Sequence, residues 1–346
     1  MSALSSDALT PFKGRRPAPI RMDRPLVETV GCPPESTLPV IFEPTMDGVN
    51  LFHWLASNRE TVLLSLHQHG AILFRGFRLK SQDDLSSAVE ALGIEPMHYI
   101  EGATPRTELG GHVYTSTEFP HEHAIALHNE LSYVITWPMR ILFMCVQPAA
   151  DGGETPIADM RKVLSRIPGE IRELFERRGW MLTRNYGGGF GLTWQTAFRA
   201  TSADDVAEYC TTNRIEYEWK DATHLRTHQV RPAIAAHPVT GEDVWFNHIA
   251  FWHVSSLPEG VRRAMVTEYG EQGLPYNTFF GDGKSIDDRV VAQIRRAYDA
   301  ETVALPWEAG DLLLLDNMLA SHGRHPFTGM RRVLVSMGDP HSRTAW

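Results

Sequence analysis

The sequence predicts a mainly β protein, a barrel or sandwich, with flanking helices. Three observations carry this. Short apolar runs bounded by Gly, Pro and Asn recur along the chain: Ala71–Phe74, Ala124–Tyr133, Arg140–Val146, Val244–Phe246, Asp311–Leu315 and Arg332–Met337. Only a few helix signals interrupt them. The regular strand–helix alternation that a doubly wound parallel sheet needs is absent.

Each helix signal comes with a cap. Ser81 precedes Gln82-Asp83-Asp84, a capping-box-like start to a helix ending near Gly93. Ser202 with Asp205 opens a second, running to about Tyr209. Ser285 with Asp288 opens a third, in which Val290, Ile294, Ala297 and Tyr298 fall on one face.

Composition narrows the class. Hydrophobic residues make up 42% of the 346 and charged residues 22%, enough apolar surface to build a large core. Residues 1–28 are rich in Ser, Pro and Arg and lack the apolar stretch of a signal peptide, so they read as a flexible N-terminal arm. Residues 29–346 read as one domain with helical insertions. The net charge of −9 argues against nucleic acid or an anionic membrane as partner. Three widely spaced cysteines, Cys32, Cys145 and Cys210, form neither a disulfide framework nor a CxxC site, which fits a cytoplasmic protein. No apolar run approaches membrane-spanning length, and the composition is compatible with a homo-oligomer.

The segment Ala124-Ile-Ala-Leu-His-Asn-Glu130 carries the chemistry. Strand residues alternate faces, so His128 and Glu130 share one with Ala124 and Ala126, while Ile125, Leu127 and Leu131 take the other. One face offers two ligands among small neighbours that leave room for substrate. Imidazole and carboxylate at i and i+2, joined by a distant histidine, are what the facial triad of a non-haem iron(II) oxygenase looks like in sequence. An HxE string alone is weak, and its bland reading is a surface strand with two polar side chains. For the distant histidine, Asp311-Leu-Leu-Leu-Leu-Asp-Asn317 reads as a buried strand running into a loop that carries both His322 and His325. A competing pair, His121 and His123, lies in a polar loop after Pro120. Spacing alone does not choose between His322 and His325.

Several blocks in order resemble the taurine dioxygenase/TfdA-like superfamily of iron(II)/2-oxoglutarate oxygenases, over roughly residues 30 to 340. They are Gly70-Ala-Ile-Leu-Phe-Arg-Gly-Phe77, Val113-Tyr-Thr-Ser-Thr-Glu118, Leu127-His-Asn-Glu-Leu-Ser-Tyr133, Gly152-Gly-Glu-Thr-Pro156, Trp245-Phe-Asn247 and Asp316-Asn-Met-Leu-Ala-Ser-His-Gly-Arg324. Within that superfamily the chain resembles the SyrP-like members associated with natural-product pathways. The resemblance implies a double-stranded β-helix, or jelly-roll, and the ligands His128, Glu130 and His322. Most superfamily members have Asp where Glu130 stands. It also implies Fe(II), 2-oxoglutarate and O2 as cofactor and co-substrates, with succinate and CO2 released as a C–H bond is oxidised. The implied substrate is an amino acid or amino-acid-derived intermediate, free or tethered to a carrier.

The far carboxylate of 2-oxoglutarate needs a charged clamp, and the bidentate fork of arginine suits it. Arg331 and Arg332 stand nine and ten residues beyond His322, at the start of the apolar strand Val333–Met337. The resemblance aligns Gly329-Met-Arg331 with the family's arginine motif and Thr155 with a hydroxyl that helps hold the same carboxylate. Some relatives carry a second inward arginine four residues on, where this chain has Val335.

Other features carry less. Asn185-Tyr-Gly-Gly-Gly-Phe-Gly191 lacks the P-loop and dinucleotide patterns and reads as a mobile loop or a lid. Ser116, Thr117, Tyr133, Trp245 and Asn247 are candidate pocket residues, each equally readable as core or turn. No GxSxG elbow supports a serine hydrolase. Two rival classes stand beside the oxygenase: a metal-dependent hydrolase using the same three ligands, and a non-catalytic jelly-roll binding module.

Overall fold

The computed structural model describes residues 25–97, 101, 108–115, 119–189 and 191–343. Residues 1–24, most of the expected arm, lie outside this range, as do Ser116 and Thr117.

The fold is a double-stranded β-helix with flanking helices. Its larger sheet has eight strands in the order β1 (Val27–Gly31), β2 (Val40–Pro44), β3 (Ala71–Phe74), β16 (Leu312–Asp316), β7 (Thr136–Gln147), β19 (Arg332–Ser342), β5 (Val113–Thr115) and β4 (Glu108–Gly110). Across the interior lies a three-stranded sheet, β6 (Ile125–His128), β17 (Ala320–Arg324) and β9 (Ile157–Asp159). A third sheet, β11 (Glu216–Trp219), β12 (Leu225–Arg231), β10 (Trp180–Tyr186) and β15 (Tyr276–Phe280), is built from the long insertion between β9 and β16. Two short pairs complete the set: β13 (Ile234–Ala236) with β14 (Asp243–Trp245), and β8 (Asp151–Gly152) with β18 (Phe327–Thr328).

The run of four leucines in β16 shows how sequence becomes layer. Leu312 and Leu314 face outward and pack with Leu142, Met144 and Leu334 beneath the helices Leu51–Ser57, Arg59–His69 and Gln82–Leu92. Leu313 and Leu315 face inward and pack with Phe143, Val333 and Val335, and with Ile157 and Ala320 from the smaller sheet. A strand covered on both faces reads as continuous apolar sequence rather than as alternation. Each such leucine contributes on the order of 2 kcal/mol through burial.

Most expected elements form. The helix after Ser81 spans Gln82–Leu92 with a capping box to Asp84, and Gly93 ends it in the left-handed region. The helix after Ser202 runs three residues further than expected, Ala203–Thr212. Three boundaries differ. The third helix begins at Asp288, capped by Asp287 rather than Ser285, because Ser285 pairs with Phe279 and bonds Glu271 instead. Its buried face uses Val291, with Val290 only half-buried. The strand expected over Ala124–Tyr133 stops at His128, since Leu131 adopts φ 55° and the chain turns. The loop expected around His322 is itself a strand, β17, held on both edges by β6 and β9. Glycine explains the close fit there: a Cβ on Gly323 would stand 2.6 Å from the Ile125 carbonyl oxygen.

Candidate active site

Three side chains converge where β6 ends beside β17. His322 on β17 lies directly opposite His128 on β6, with ring centroids 4.5 Å apart. Glu130 sits two residues past the end of β6, its carboxylate 3.9 Å from His322 Nε2. One donor atom from each of the three lies within 4.8 Å of the others. His325, which spacing could not separate from His322, pairs with Glu154 at 3.0 Å instead.

The backbone under this cluster is held by two buried asparagines. Asn317 accepts from the Glu130 N–H and donates to the carbonyls of Glu130 and Pro138, all at 2.8 Å. Asn129 donates to the Asn317 carbonyl at 2.7 Å. The turn that presents Asn317 is fixed in turn by Asp316, which caps the N–H groups of Met318 and Leu319 and meets Arg140 at 2.7 Å and His237 at 3.1 Å. Glu130 therefore needs no strand to hold its place.

Hydrogen bonding also selects which nitrogen of His128 carries the proton. Its Nδ1 lies 2.9 Å from the Ala126 carbonyl oxygen, which can only accept, so Nδ1 carries the proton and Nε2 offers its lone pair. Two imidazoles and one carboxylate gathered within 4.8 Å are a donor set suited to iron(II). Behind His322 stands Phe143 at 5.1 Å; beside His128 stands Phe251 at 4.8 Å. Aromatic walls of this kind keep water from reactive species.

The two candidate arginines part company. Arg331 is half-buried, donates from Nε to the Gly153 carbonyl at 2.8 Å and lies over the Phe327 ring. Gly153 permits this: its φ is 76°, and a Cβ there would meet Arg331 at 3.0 Å. Burial pushes the Arg331 guanidinium down to about 10, with Arg324 adding to the shift and Cys145 and Glu154 opposing it. Arg332 is exposed, opposite Gln147. Thr155 is buried, and its hydroxyl lies 3.3 Å from Trp307 Nε1.

Of the other candidates, Tyr133 packs near the site against His248 and Trp252. Trp245 packs edge-on against Phe175 in the core. Asn247 ties the Ala233 carbonyl to the Ile249 N–H. Sequence reasoning missed His248, Phe251 and Trp252, whose rings wall the site beside His128. No ligand spacing marks His248; only its place after Trp245-Phe-Asn247 could have drawn notice. Burial holds its imidazole well below the ordinary range, with the neighbouring His128 adding to the shift.

Fold and donor set together define a non-haem iron oxygenase. The sequence profile of the taurine catabolism dioxygenase TauD, TfdA family matches residues 32–337, and the chain belongs to that family. It is an iron(II)- and 2-oxoglutarate-dependent dioxygenase, which sets aside the hydrolase and binding-module readings. The chain is 42% identical over 275 residues to the dapdiamide synthesis protein DdaC of Enterobacter agglomerans, covering 80% of this chain and 84% of that one. It is 31% identical over 318 residues to a clavaminate synthase-like protein of Arabidopsis thaliana, covering 88% and 91%. Among solved structures, PvcB of Pseudomonas aeruginosa shares the fold, with a TM-score of 0.53 at 17% identity and 92% of each chain covered. No helix among the described residues is long and apolar enough to cross a membrane.

Proposed function

We propose that His128, Glu130 and His322 hold the iron, and that Arg331, with Thr155, takes the far carboxylate of 2-oxoglutarate. The substrate in this reading is an amino acid or amino-acid-derived intermediate of a biosynthetic pathway, oxidised at an unactivated C–H bond. The observation that carries it is the convergence of three donor atoms within 4.8 Å. DdaC is by its name a synthesis protein, which favours a biosynthetic role. The SyrP-like resemblance favours an amino-acid substrate and adds a carrier-tethered form of it. In the same reading residues 29–346 make one catalytic domain acting in the cytoplasm.

Bound at this site, iron(II) with 2-oxoglutarate and O2 supplies the oxidising power to attack an unactivated carbon. The chain does the rest. Asn317 and Asn129 hold the Glu130 backbone, the Ala126 carbonyl orients His128, and Phe143 and Phe251 exclude water. Arg331 favours the clamp over Arg332 because its desolvated cation gains most from an incoming carboxylate.

The test is anaerobic. Iron(II) with 2-oxoglutarate should produce a weak visible charge-transfer band in the wild type. Arg331→Ala should abolish 2-oxoglutarate binding at concentrations that saturate the wild type, and Arg332→Ala should not; the reverse result overturns the choice of arginine. Amino-acid compounds should stimulate succinate release and taurine should not. Preferential turnover of an alkylsulfonate would overturn the substrate class.

A further inference from the structure

The aromatic wall beside the cluster contains a histidine whose bonding within the described residues is incomplete. His248 is 3% exposed, with its ring 5.6 Å from that of His128, 5.3 Å from Phe251, 5.0 Å from Tyr133 and 4.5 Å from Trp252. Its Nδ1 lies 2.6 Å from Ser132 Oγ, and its Nε2 makes no hydrogen bond among the described residues. On a side chain packed this deeply, a ring nitrogen that the described residues leave unsatisfied is placed to serve a molecule entering the site.

The Ser132 hydroxyl decides which proton that nitrogen carries. Ser132 is fully buried, and among the described residues the bond to His248 is the one its side chain makes. Were Nδ1 the donor, the hydroxyl proton would find no acceptor among the described residues. When the hydroxyl donates to Nδ1, Ser132 is satisfied and a neutral imidazole carries its proton on Nε2. His248 then presents its Nε2–H among the rings of Phe251, Trp252 and Tyr133.

We infer that His248, oriented by Ser132, is a substrate-positioning residue whose Nε2–H donates to a carboxylate or amide carbonyl oxygen of the substrate. The inference rests on the amino-acid reading above for the identity of that oxygen, but not for the donor itself. Aromatic rings grip the body of the substrate, and the His248 donor helps fix which carbon faces the iron ligands.

Two measurements test it. The first needs no ligand: in long-range 15N–1H spectra of the histidine rings, the resonance that His248→Gln removes should show Nε2 protonated and Nδ1 bare. Ser132→Ala should shift that signal toward the other tautomer. A proton on Nδ1 in the wild type overturns the inference. The second is calorimetric, with the anaerobic holoenzyme and a panel of proteinogenic L-α-amino acids and their N-acetyl methylamides. For any compound that binds, His248→Phe should weaken binding about tenfold, the worth of one hydrogen bond to a charged or strongly polar oxygen. His248→Gln, which keeps an N–H near Nε2, should restore most of it, and 2-oxoglutarate affinity should be unchanged throughout. Equal binding by His248→Phe overturns the inference, and so does a loss of 2-oxoglutarate affinity, which would make His248 a support for the iron site. If no compound binds while 2-oxoglutarate does, the amino-acid reading fails and the tautomer alone decides the role of His248.

Discussion

Glu130 and Asn317 divide one task between them. Glu130 supplies the carboxylate, and Asn317 supplies two hydrogen bonds that keep its backbone in place without a strand and a third that ties the turn to Pro138. Asn317→Ala leaves a buried N–H and two buried carbonyls unpaired, at about 1–3 kcal/mol each. It should lower the melting temperature and weaken iron binding roughly 10–100-fold, as loss of a ligand's supporting shell does; metal titration and thermal melts check both. In the proposed ligand set Glu130 would also decide the reaction outcome. Related halogenases carry a small residue at this place, leaving a coordination position for chloride. Here the Glu130 carboxylate excludes it by charge and by bulk. Wild-type enzyme in chloride buffer should give products free of chlorine, and Glu130→Ala should lose most iron affinity. A chlorine isotope pattern in the wild-type product would remove Glu130 from the ligand set.

At the scale of elements, the β16–β17 turn carries the most. Asp316 ends the buried strand, caps the turn and neutralises Arg140, all at 0% exposure. Burial pushes its carboxyl up, but the bond from His237 and the charge of Arg140 outweigh this, and the balance lies below the ordinary value. A folded-state pKa below the unfolded one means that the stabilisation is present above the usual carboxylate range near 4. It is lost as the pH falls through the depressed value. Asp316→Asn leaves Arg140 buried without its anion and should cost about 3–5 kcal/mol at neutral pH. Denaturation across pH 7 to 3 should show the wild-type advantage shrinking in acid. A difference independent of pH would show that geometry, not charge, is what Asp316 contributes.

For the whole molecule, the jelly-roll is the frame, and iron(II) with 2-oxoglutarate is the ligand set that its folded form takes up. Ligands that bind only the folded state stabilise it by mass action, about 2.7 kcal/mol at 100 times Kd. Anaerobic iron(II) with 2-oxoglutarate should therefore raise the melting temperature of the wild type, and a chelator should reverse the gain. Arg331→Ala should keep the increment from metal alone and lose the further one from 2-oxoglutarate. If metal and 2-oxoglutarate together leave the wild-type melt unchanged, the site as drawn does not hold them.

The sequence by itself determined the layer pattern and the capped helices, because burial on both faces and N-cap chemistry are local signals. The leucine run of β16 and the Ser81 and Ser202 caps could be read directly. It also carried the HxE pair, and the ordered blocks carried His322. What only the tertiary structure decided depends on residues far apart in the chain. His322 rather than His325 faces His128 because β17 pairs in a register that puts those two residues opposite each other, and no spacing rule encodes a register. Glu130 is rigid because Asn317, 187 residues away, holds its backbone. Arg331 turns inward because Gly153 leaves room for it. His248 reaches the site because the insertion between β9 and β16 folds its ring against those of His128 and Tyr133, and such a meeting of side chains exists only once the chain has packed.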